Sequence, residues 1–224
     1  MDSLVGKNRY WVLRHGKSIP NERGLIVSSM EHGVLPEFQL APDGVDQARL
    51  AGELFLQQLK ENNIELDKVR ICYSPFSRTT HTARVVAEVL NLPFDSPQCK
   101  MIEDLRERYF GPTFELKSHD KYPEIWALDE KDPFMKPEGG ESAADVVSRL
   151  ATAMESMEAD YQSCAILVVS HGDPLQMLQN VFHSAKLQKG DDGLAQRIQM
   201  SRVASVLSQH RKFALLTGEL RPLI

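Results

Sequence analysis

The stretch AILVVSHGDP, which begins at Ala165 and ends at Pro174, indicates how this chain folds. Residues 165–170 give the clearest strand pattern of the sequence, a short apolar run that is typical of a strand buried on both faces. His171 follows the run, and we expect Asp173 and Pro174 to start a helix as its N-cap and first residue. A buried strand that leads directly into a helix is typical of a parallel sheet covered by helices.

Two further strands and two helices are predicted in the N-terminal half of the chain. Residues 10–13, with the sequence YWVL, and residues 69–73 form short apolar runs that predict buried strands. Helices are expected over residues 42–60 and 77–90, because apolar residues recur there at helical spacing. The chain therefore alternates strand and helix, as α/β proteins do.

The C-terminal half continues this alternation and adds two strands at its end. Ser142, with Asp145 three residues later, predicts the capped start of a helix. Residues 203–207 and 213–217 are predicted to form the final strands, which pair antiparallel with each other. These patterns together predict an α/β fold, a three-layer α/β/α sandwich with a mostly parallel mixed central sheet.

Residues 111–140 interrupt the alternation and predict a small inserted cap. They contain four prolines and three glycines, show no sustained period and carry the aromatic residues Tyr122, Trp126 and Phe134. A short helix is expected near residues 123–128. Irregular stretches of this length inside a compact domain are usually functional or mobile. We expect all 224 residues to form a single domain with this cap inserted.

The composition excludes several classes of protein. A net charge of −5, without a run of five like charges, does not favour nucleic acid as a partner. No stretch of 18 apolar residues predicts a membrane span, and the first residues lack the apolar core of a secretory signal. Cys72, Cys99 and Cys164 form no CxxC pair, which indicates reduced thiols and a cytoplasmic location. The oligomeric state stays open.

Three polar clusters follow the carboxyl ends of predicted parallel strands. Arg14 and His15 follow the first strand, Arg78 lies just beyond the second, and His171 follows the strand at 165–170. Ligands of open α/β sheets bind in the crevice outside these strand ends, so we expect the four side chains to meet there. Two arginines, with the N-terminus of the helix at residue 77, predict an anion site suited to phosphate.

A histidine in such a site can act as a nucleophile. Neutral imidazole attacks phosphorus, and the charges of Arg14 and Arg78 disfavour the imidazolium form of His15. Glu107, in LRERYFG, is the candidate for the acid that protonates the leaving group. Taken singly, a strand-end histidine, a helix-start arginine and a loop glutamate each have an ordinary structural or solvated explanation. The hypothesis depends on their occurring together and in this order.

Six segments, in order over about residues 10–175, resemble the histidine phosphatase superfamily in its cofactor-dependent phosphoglycerate mutase-like branch. They are LRHGKSIPN (13–21), LAPDGVDQA (40–48), YSPFSRTTHTA (73–83), LRERYFG (105–111), PEGGES (137–142) and VVSHGDP (168–174). The resemblance implies a phosphohistidine mechanism that uses no metal and no cofactor. The roles it implies are a nucleophile at His15, a proton donor at Glu107, and phosphate binding by Arg14, Arg78 and His171 with help from Asn21.

Departures from the family pattern favour hydrolysis over mutase chemistry. Lys17 stands where Glu or Gln is common, and residues 111–140 contain no arginine to hold a second phosphate or a carboxylate. We therefore expect a metal-independent phosphomonoester hydrolase that acts on a small phosphorylated substrate. A phosphoglycerate mutase and a non-catalytic phospho-ligand binding module are the alternatives. The compact protein phosphohistidine phosphatases share RHGKS but lack PEGGES and a cap of this length.

Overall fold

The computed structural model describes residues 6–188 and 192–223. Its five strands form one sheet in the order β3-β2-β4-β1-β5. The strands are β1 Arg9–Arg14, β2 Val69–Tyr73, β3 Cys99–Met101, β4 Ala165–Ser170 and β5 Leu220–Leu223. Strands β1 to β4 pair in parallel, whereas β5 runs antiparallel to β1. The predicted mixed, mostly parallel sheet is confirmed.

Helices cover both faces of this sheet. They are α1 Ile19–Arg23, α2 Met30–Gly33, α3 Pro42–Glu61, α4 Ser77–Val89, α5 Tyr122–Lys131, α6 Ala143–Asp160, α7 Gly172–Leu187, α8 Leu194–Met200 and α9 Ala204–Leu207. Within residues 6–188 and 192–223, none of the helices has the length and apolar character needed to cross a membrane.

Alternating side chains of the strands point to opposite helical layers. Trp11 and Leu13 of β1 pack in one cluster with α3 and α4, whereas Tyr10 and Val12 pack in another with α6, α7 and α8. All four side chains are at most 4% exposed, so the sheet is buried on both faces. The three-layer α/β/α sandwich predicted from the sequence is confirmed.

The two strands predicted at the C-terminal end are wrong. Residues 204–207 form α9, whose Leu207 is fully buried, and residues 210–213 form a 3-10 helix. The apolar run at 203–207 fits either period, and packing against α7 decides for a helix. The last strand is β5, which includes Pro222. Proline is tolerated there because β5 is an edge strand.

The start of α7 also differs from the prediction. His171 is its N-cap and Gly172 its first residue, so the helix begins two residues earlier than expected. Asp173 does not cap the helix, because its Oδ1 accepts a hydrogen bond of 2.6 Å from Nε2 of Gln176. In contrast, Ser142 and Asp145 form the predicted capping box of α6.

Residues 111–140 lie between β3 and α6 in the chain and carry α5, which confirms the expected short helix in the cap. Ile125 of α5 is 1% exposed and packs in a small cluster with Ile26 and Phe110. The cap is also joined to the body by backbone hydrogen bonds, from Ile26 N to Lys117 O at 2.9 Å and from Leu116 N to Ile26 O at 2.8 Å.

Candidate active site

The register between β1 and β4 places two histidines side by side. Arg14 and Ser170, the last residues of β1 and β4, are paired. The residues that follow them, His15 and His171, therefore lie at the same edge of the sheet. The backbone N–H of His15 donates to the carbonyl of Ser170 at 3.1 Å. The centroids of the two imidazole rings lie 5.3 Å apart.

The glycine after His15 permits a close approach of two backbone segments. A Cβ atom on Gly16 would lie 2.2 Å from the carbonyl oxygen of Gly44, which is far inside van der Waals contact. The turn that leaves β1 therefore packs directly on the start of α3. Any larger residue at position 16 displaces the segment that carries His15.

His15 is a neutral imidazole with a defined tautomer. Its Nε2 accepts a hydrogen bond from Nε of Arg78 at 3.2 Å, and arginine has no acceptor atom. The ring proton therefore resides on Nδ1, which donates to the carbonyl of Gly16 at 2.7 Å. Burial, followed by the charges of Arg78 and Arg14, holds the pKa of His15 well below its ordinary value. Burial contributes more than the arginine charges on which the sequence argument relied.

Arg78 is buried at the start of α4 and is not the surface arginine that its sequence position allowed. It is 4% exposed, and its Nη2 donates to the carbonyl of Val27 at 3.0 Å. The same Nη2 lies 3.7 Å from Oε2 of Glu107. Its Nη1 is buried and has no hydrogen-bond partner. One planar guanidinium thus joins the nucleophile candidate to the acid candidate.

Two more buried nitrogens next to these groups lack partners. They are Nε of Arg14 and Nδ1 of His171, whose Nε2 pairs with the hydroxyl of Ser74 at 2.8 Å. Buried polar groups without partners are rare in proteins, since each loses hydration without compensation. Together with Nη1 of Arg78, these nitrogens form a cluster that the oxygens of a tetrahedral anion can satisfy.

Two helices present uncapped N-termini to this cluster. The N-cap residues of α4 and α7 make no side-chain capping hydrogen bond. Arg78 lies in the first turn of α4, and His171 is the N-cap residue of α7. The first backbone N–H groups of a helix have no partners within the helix, and the helix dipole favours negative charge there. The local field therefore favours an anion despite the net negative charge of the chain.

Glu107 is buried beside His171 and Arg78 and is not solvated on a loop. It is 7% exposed, and its Oε2 lies 3.7 Å from Nδ1 of His171. Its Oε1 accepts from the backbone N–H of Arg108 at 2.9 Å. Burial raises the pKa of Glu107 to about 7, because it outweighs the opposing charge of Arg78. The carboxyl group can therefore either hold or release a proton near neutral pH.

The hydrogen bonds of the Asn21 side chain stay within its own helix start and do not join it to this cluster. Its Oδ1 accepts from the backbone N–H and hydroxyl of Ser18, at 3.0 and 2.9 Å. The two residues form the capping box of α1. The structure gives Asn21 a local structural role, and its contact with substrate stays a prediction.

A buried ionic network around Arg108, the residue after Glu107, was not predicted from the sequence. Arg108, which is fully buried, donates to both carboxylate oxygens of Asp129 at 2.6 and 2.9 Å. Nη1 of Arg108 also lies 3.5 Å from Asp173, and Nε2 of His210 lies 3.1 Å from Asp129. Asp129 belongs to α5, so the network joins the cap to the body and to the C-terminal segment. No local pattern signals pairing over such separations.

We expect Asp129→Ala to destabilise the protein by about 3 to 5 kcal/mol, because it leaves the buried guanidinium of Arg108 without its carboxylate. Urea unfolding followed by circular dichroism measures this change. Glu130→Ala, at the exposed neighbouring position, is the control and should stay within about 0.5 kcal/mol of the parent. Equal stability of both variants would contradict a structural role for the network.

The cap places aromatic side chains beside the site. Tyr122 stacks on Trp126 with ring centroids 5.5 Å apart. Burial and the nearby charge of Glu107 raise the pKa of Tyr122. In contrast, Phe134 is 44% exposed. Tyr122 also packs against Phe110, with ring centroids 5.4 Å apart, so it helps to hold the cap on the body.

Lys17, the cation that follows Arg14, His15 and Gly16 (the RHG motif), is already paired with carboxylates. Nζ of Lys17 lies 3.0 Å from Asp43 and 3.5 Å from Glu22, at the protein surface. These carboxylates offset the charge that Lys17 would offer to a second acidic group of a ligand. Among the described residues, no group of three or more His, Cys, Asp or Glu side chains is arranged to hold a metal ion.

Comparisons with known proteins give relatives with named activities. The chain is 27% identical to phosphoserine phosphatase 1 of Hydrogenobacter thermophilus over 151 residues, which cover 67% of this chain and 69% of that protein. It is 32% identical over 109 residues to a bifunctional protein of Mycobacterium tuberculosis. That match covers 47% of this chain and 28% of the longer protein.

The fold and the family follow from two further matches. A mycobacterial glucosyl-3-phosphoglycerate phosphatase superposes with a TM-score of 0.62 at 22% identity, over 85% of each chain, which shows the same fold. A family model described as histidine phosphatase superfamily (branch 1) matches residues 10–215. The segments that carry the resemblance, from the RHG motif to His171, all lie within this match. The chain therefore belongs to the histidine phosphatase superfamily.

Proposed function

We propose that this protein is a phosphomonoester hydrolase that transfers the phosphoryl group of a small substrate first to His15 and then to water. One observation carries the proposal. Three buried nitrogens without partners, on Arg14, Arg78 and His171, lie around a neutral imidazole whose Nε2 accepts a hydrogen bond. Arginine and imidazole donors match the oxygens of a phosphate, and neutral imidazole is the nucleophilic form.

In the first step the phosphate oxygens accept hydrogen bonds from the arginines and from His171. Arg78 then donates to the phosphate, which frees the lone pair on Nε2 of His15. Nε2 attacks phosphorus, and the bond from phosphorus to the ester oxygen breaks with its electron pair on that oxygen. Protonated Glu107 gives its proton to the departing alkoxide, and the buried cations stabilise the charge on the transferring group.

In the second step ionised Glu107 takes a proton from water, and the water oxygen attacks phosphorus. The bond between phosphorus and Nε2 breaks, its electron pair returns to His15, and inorganic phosphate is released. Glu107 is protonated again, which restores the starting state. A carboxyl group with a pKa of about 7 suits both roles, because the ideal pKa of a general acid and base lies near the working pH.

Two kinds of observation support transfer to water over transfer to a second substrate oxygen. The matched relatives include a phosphoserine phosphatase and a glucosyl-3-phosphoglycerate phosphatase. In addition, the cap contains no arginine, and two of its four lysines, Lys121 and Lys136, lie 3.4 and 2.9 Å from Glu124 and Asp145. The proposal includes a cytoplasmic location and a single domain formed by the whole chain.

A substrate screen tests the proposed function. Phosphate release is measured for sugar phosphates, phosphoglycerates, phosphoserine, nucleotides and phosphopeptides, with the His15→Ala protein as control. We expect hydrolysis of at least one small phosphomonoester. Rapid conversion of 3-phosphoglycerate to its 2-isomer with a bisphosphoglycerate primer would instead show a mutase. Tight binding without hydrolysis of any ester would show a binding module.

The pH dependence of kcat/KM should show the ionisation of Glu107. The raised pKa means that the group is protonated below about pH 7, so hydrolysis of an alkyl phosphate should fall as pH rises through this value. The lowered pKa of His15 leaves the nucleophile neutral well into the acid range. Glu107→Gln should remove the fall above pH 7. Persistence of the same fall in that variant would assign it to another group.

A further inference from the structure

A carboxylate of the cap makes five hydrogen-bonding contacts with residues 28–32, at the start of α2. Oε2 of Glu115 accepts from the backbone N–H and hydroxyl of Ser28, at 2.9 and 2.7 Å, and from the N–H of Ser29 at 3.1 Å. Oε1 accepts from the hydroxyl of Ser29 at 2.8 Å and lies 2.9 Å from Nδ1 of His32. The side chain of Glu115 is only 9% exposed. A partly buried carboxylate with all its acceptor positions engaged holds its donors firmly.

Glu115 is ionised in this setting. Burial alone would raise its pKa, but the hydrogen bonds from Ser28, His32 and Ser29 outweigh burial and place the pKa below its ordinary value. The adjacent backbone is fixed as well, because Ile26 exchanges two hydrogen bonds with the cap at Leu116 and Lys117. The loop is thus held to the cap on both sides of a single residue, Val27.

Val27 is the residue through which this loop reaches the phosphate site. Its carbonyl accepts from Nη2 of Arg78 at 3.0 Å. A guanidinium is planar and its nitrogens have a fixed geometry, so fixing Nη2 also fixes the other two. Those two are Nε, which donates to His15, and Nη1, which has no partner and is available to a phosphate oxygen.

We propose that Glu115 is a positioning residue for the phosphate site, which it serves through Val27 and Arg78 without touching the substrate. The inference rests on the proposed function, because it assumes that Arg78 binds phosphate. It predicts that the affinity for phosphate depends on a carboxylate of the cap whose contacts lie at Ser28, Ser29 and His32. Loss of Glu115 leaves Arg78 in place but lets its guanidinium rotate.

Isothermal titration of the full chain with inorganic phosphate tests the proposal without requiring turnover. We expect Glu115→Ala to weaken phosphate binding about tenfold, the cost of one misaligned charge-assisted hydrogen bond. Glu124→Ala, which removes an exposed carboxylate of the same cap, is the matched control and should bind as the parent does. In an Arg78→Lys background, Glu115→Ala should change the affinity less than twofold, because lysine has no second nitrogen for the carbonyl of Val27.

The outcomes separate this proposal from the proposed function. A parent protein that does not bind phosphate overturns the phosphate site itself. Parent-like binding by Glu115→Ala, or an equal tenfold loss in the Arg78→Lys background, overturns the positioning role. If circular dichroism shows that Glu115→Ala does not fold, the double variant Ser28→Ala/Ser29→Ala replaces it. That variant removes two of the donors and should weaken phosphate binding, whereas unchanged affinity contradicts the proposal.

Discussion

His15→Ala should abolish phosphate release and the labelling of the protein by a phosphorylated substrate. The variant lacks the nitrogen that attacks phosphorus, and loss of a nucleophile costs on the order of 10⁵-fold or more in turnover. Because Nδ1 of His15 donates to Gly16 and Nε2 faces Arg78, the label in the parent should be on Nε2. Rapid-quench labelling followed by mass spectrometry of the histidine peptide measures both the stoichiometry and the position.

The matched control for this variant is a histidine outside the site. His183→Ala changes an exposed position of α7 and should retain parent-like turnover and labelling. Substantial phosphate release by His15→Ala would exclude the covalent mechanism, as would a label on an amino acid other than histidine. Acid lability of the label, with stability in base, distinguishes phosphohistidine from a phosphoserine ester.

Glu107→Gln should slow the hydrolysis of alkyl phosphates by about 10² to 10⁴-fold in kcat/KM, the usual contribution of a general acid. The amide cannot give a proton to the departing alkoxide. Hydrolysis of p-nitrophenyl phosphate should fall much less, because its leaving group is a stable anion. The ratio of kcat/KM for the two esters measures the effect, since kcat/KM covers only the steps through the first phosphoryl transfer.

Glu103→Gln is the control for this prediction, since Glu103 is an exposed glutamate of the same segment. It should leave the ratio of the two esters unchanged. Equal slowing of both esters by Glu107→Gln would show that this residue supports the site in another way, for example by orienting Arg78 across their 3.7 Å contact.

The sequence predicted the parts of the site that depend on strand ends. His15, Arg78 and His171 lie one to five residues beyond β1, β2 and β4, and the carboxyl ends of parallel strands meet at one edge. Periodicity therefore sufficed to bring together residues that are far apart in the chain. Glu107 follows no strand pattern of its own, and the family resemblance supported its choice as the candidate acid.

Other features could not be predicted, because they depend on contacts between distant loops. The pairing of Arg108 with Asp129 and the contacts of Glu115 with Ser28 join segments that have no common pattern. Two errors have a local cause. Pro222 interrupts the strand pattern of residues 220–223, so the edge strand β5 was not predicted. The apolar run at 203–207 is too short for its period to separate a strand from a helix.

Because the register that pairs Arg14 with Ser170 sets both histidines, evolution can alter the cap without moving the nucleophile. Under the proposed function, we expect mutations of cap residues other than Glu115 and Asp129 to change which alcohol fits, while His15 keeps its place at the end of β1. The same separation suits protein engineering. Caps exchanged between homologues should yield active hybrids with new preferences when the anchoring residues Glu115 and Asp129 are retained.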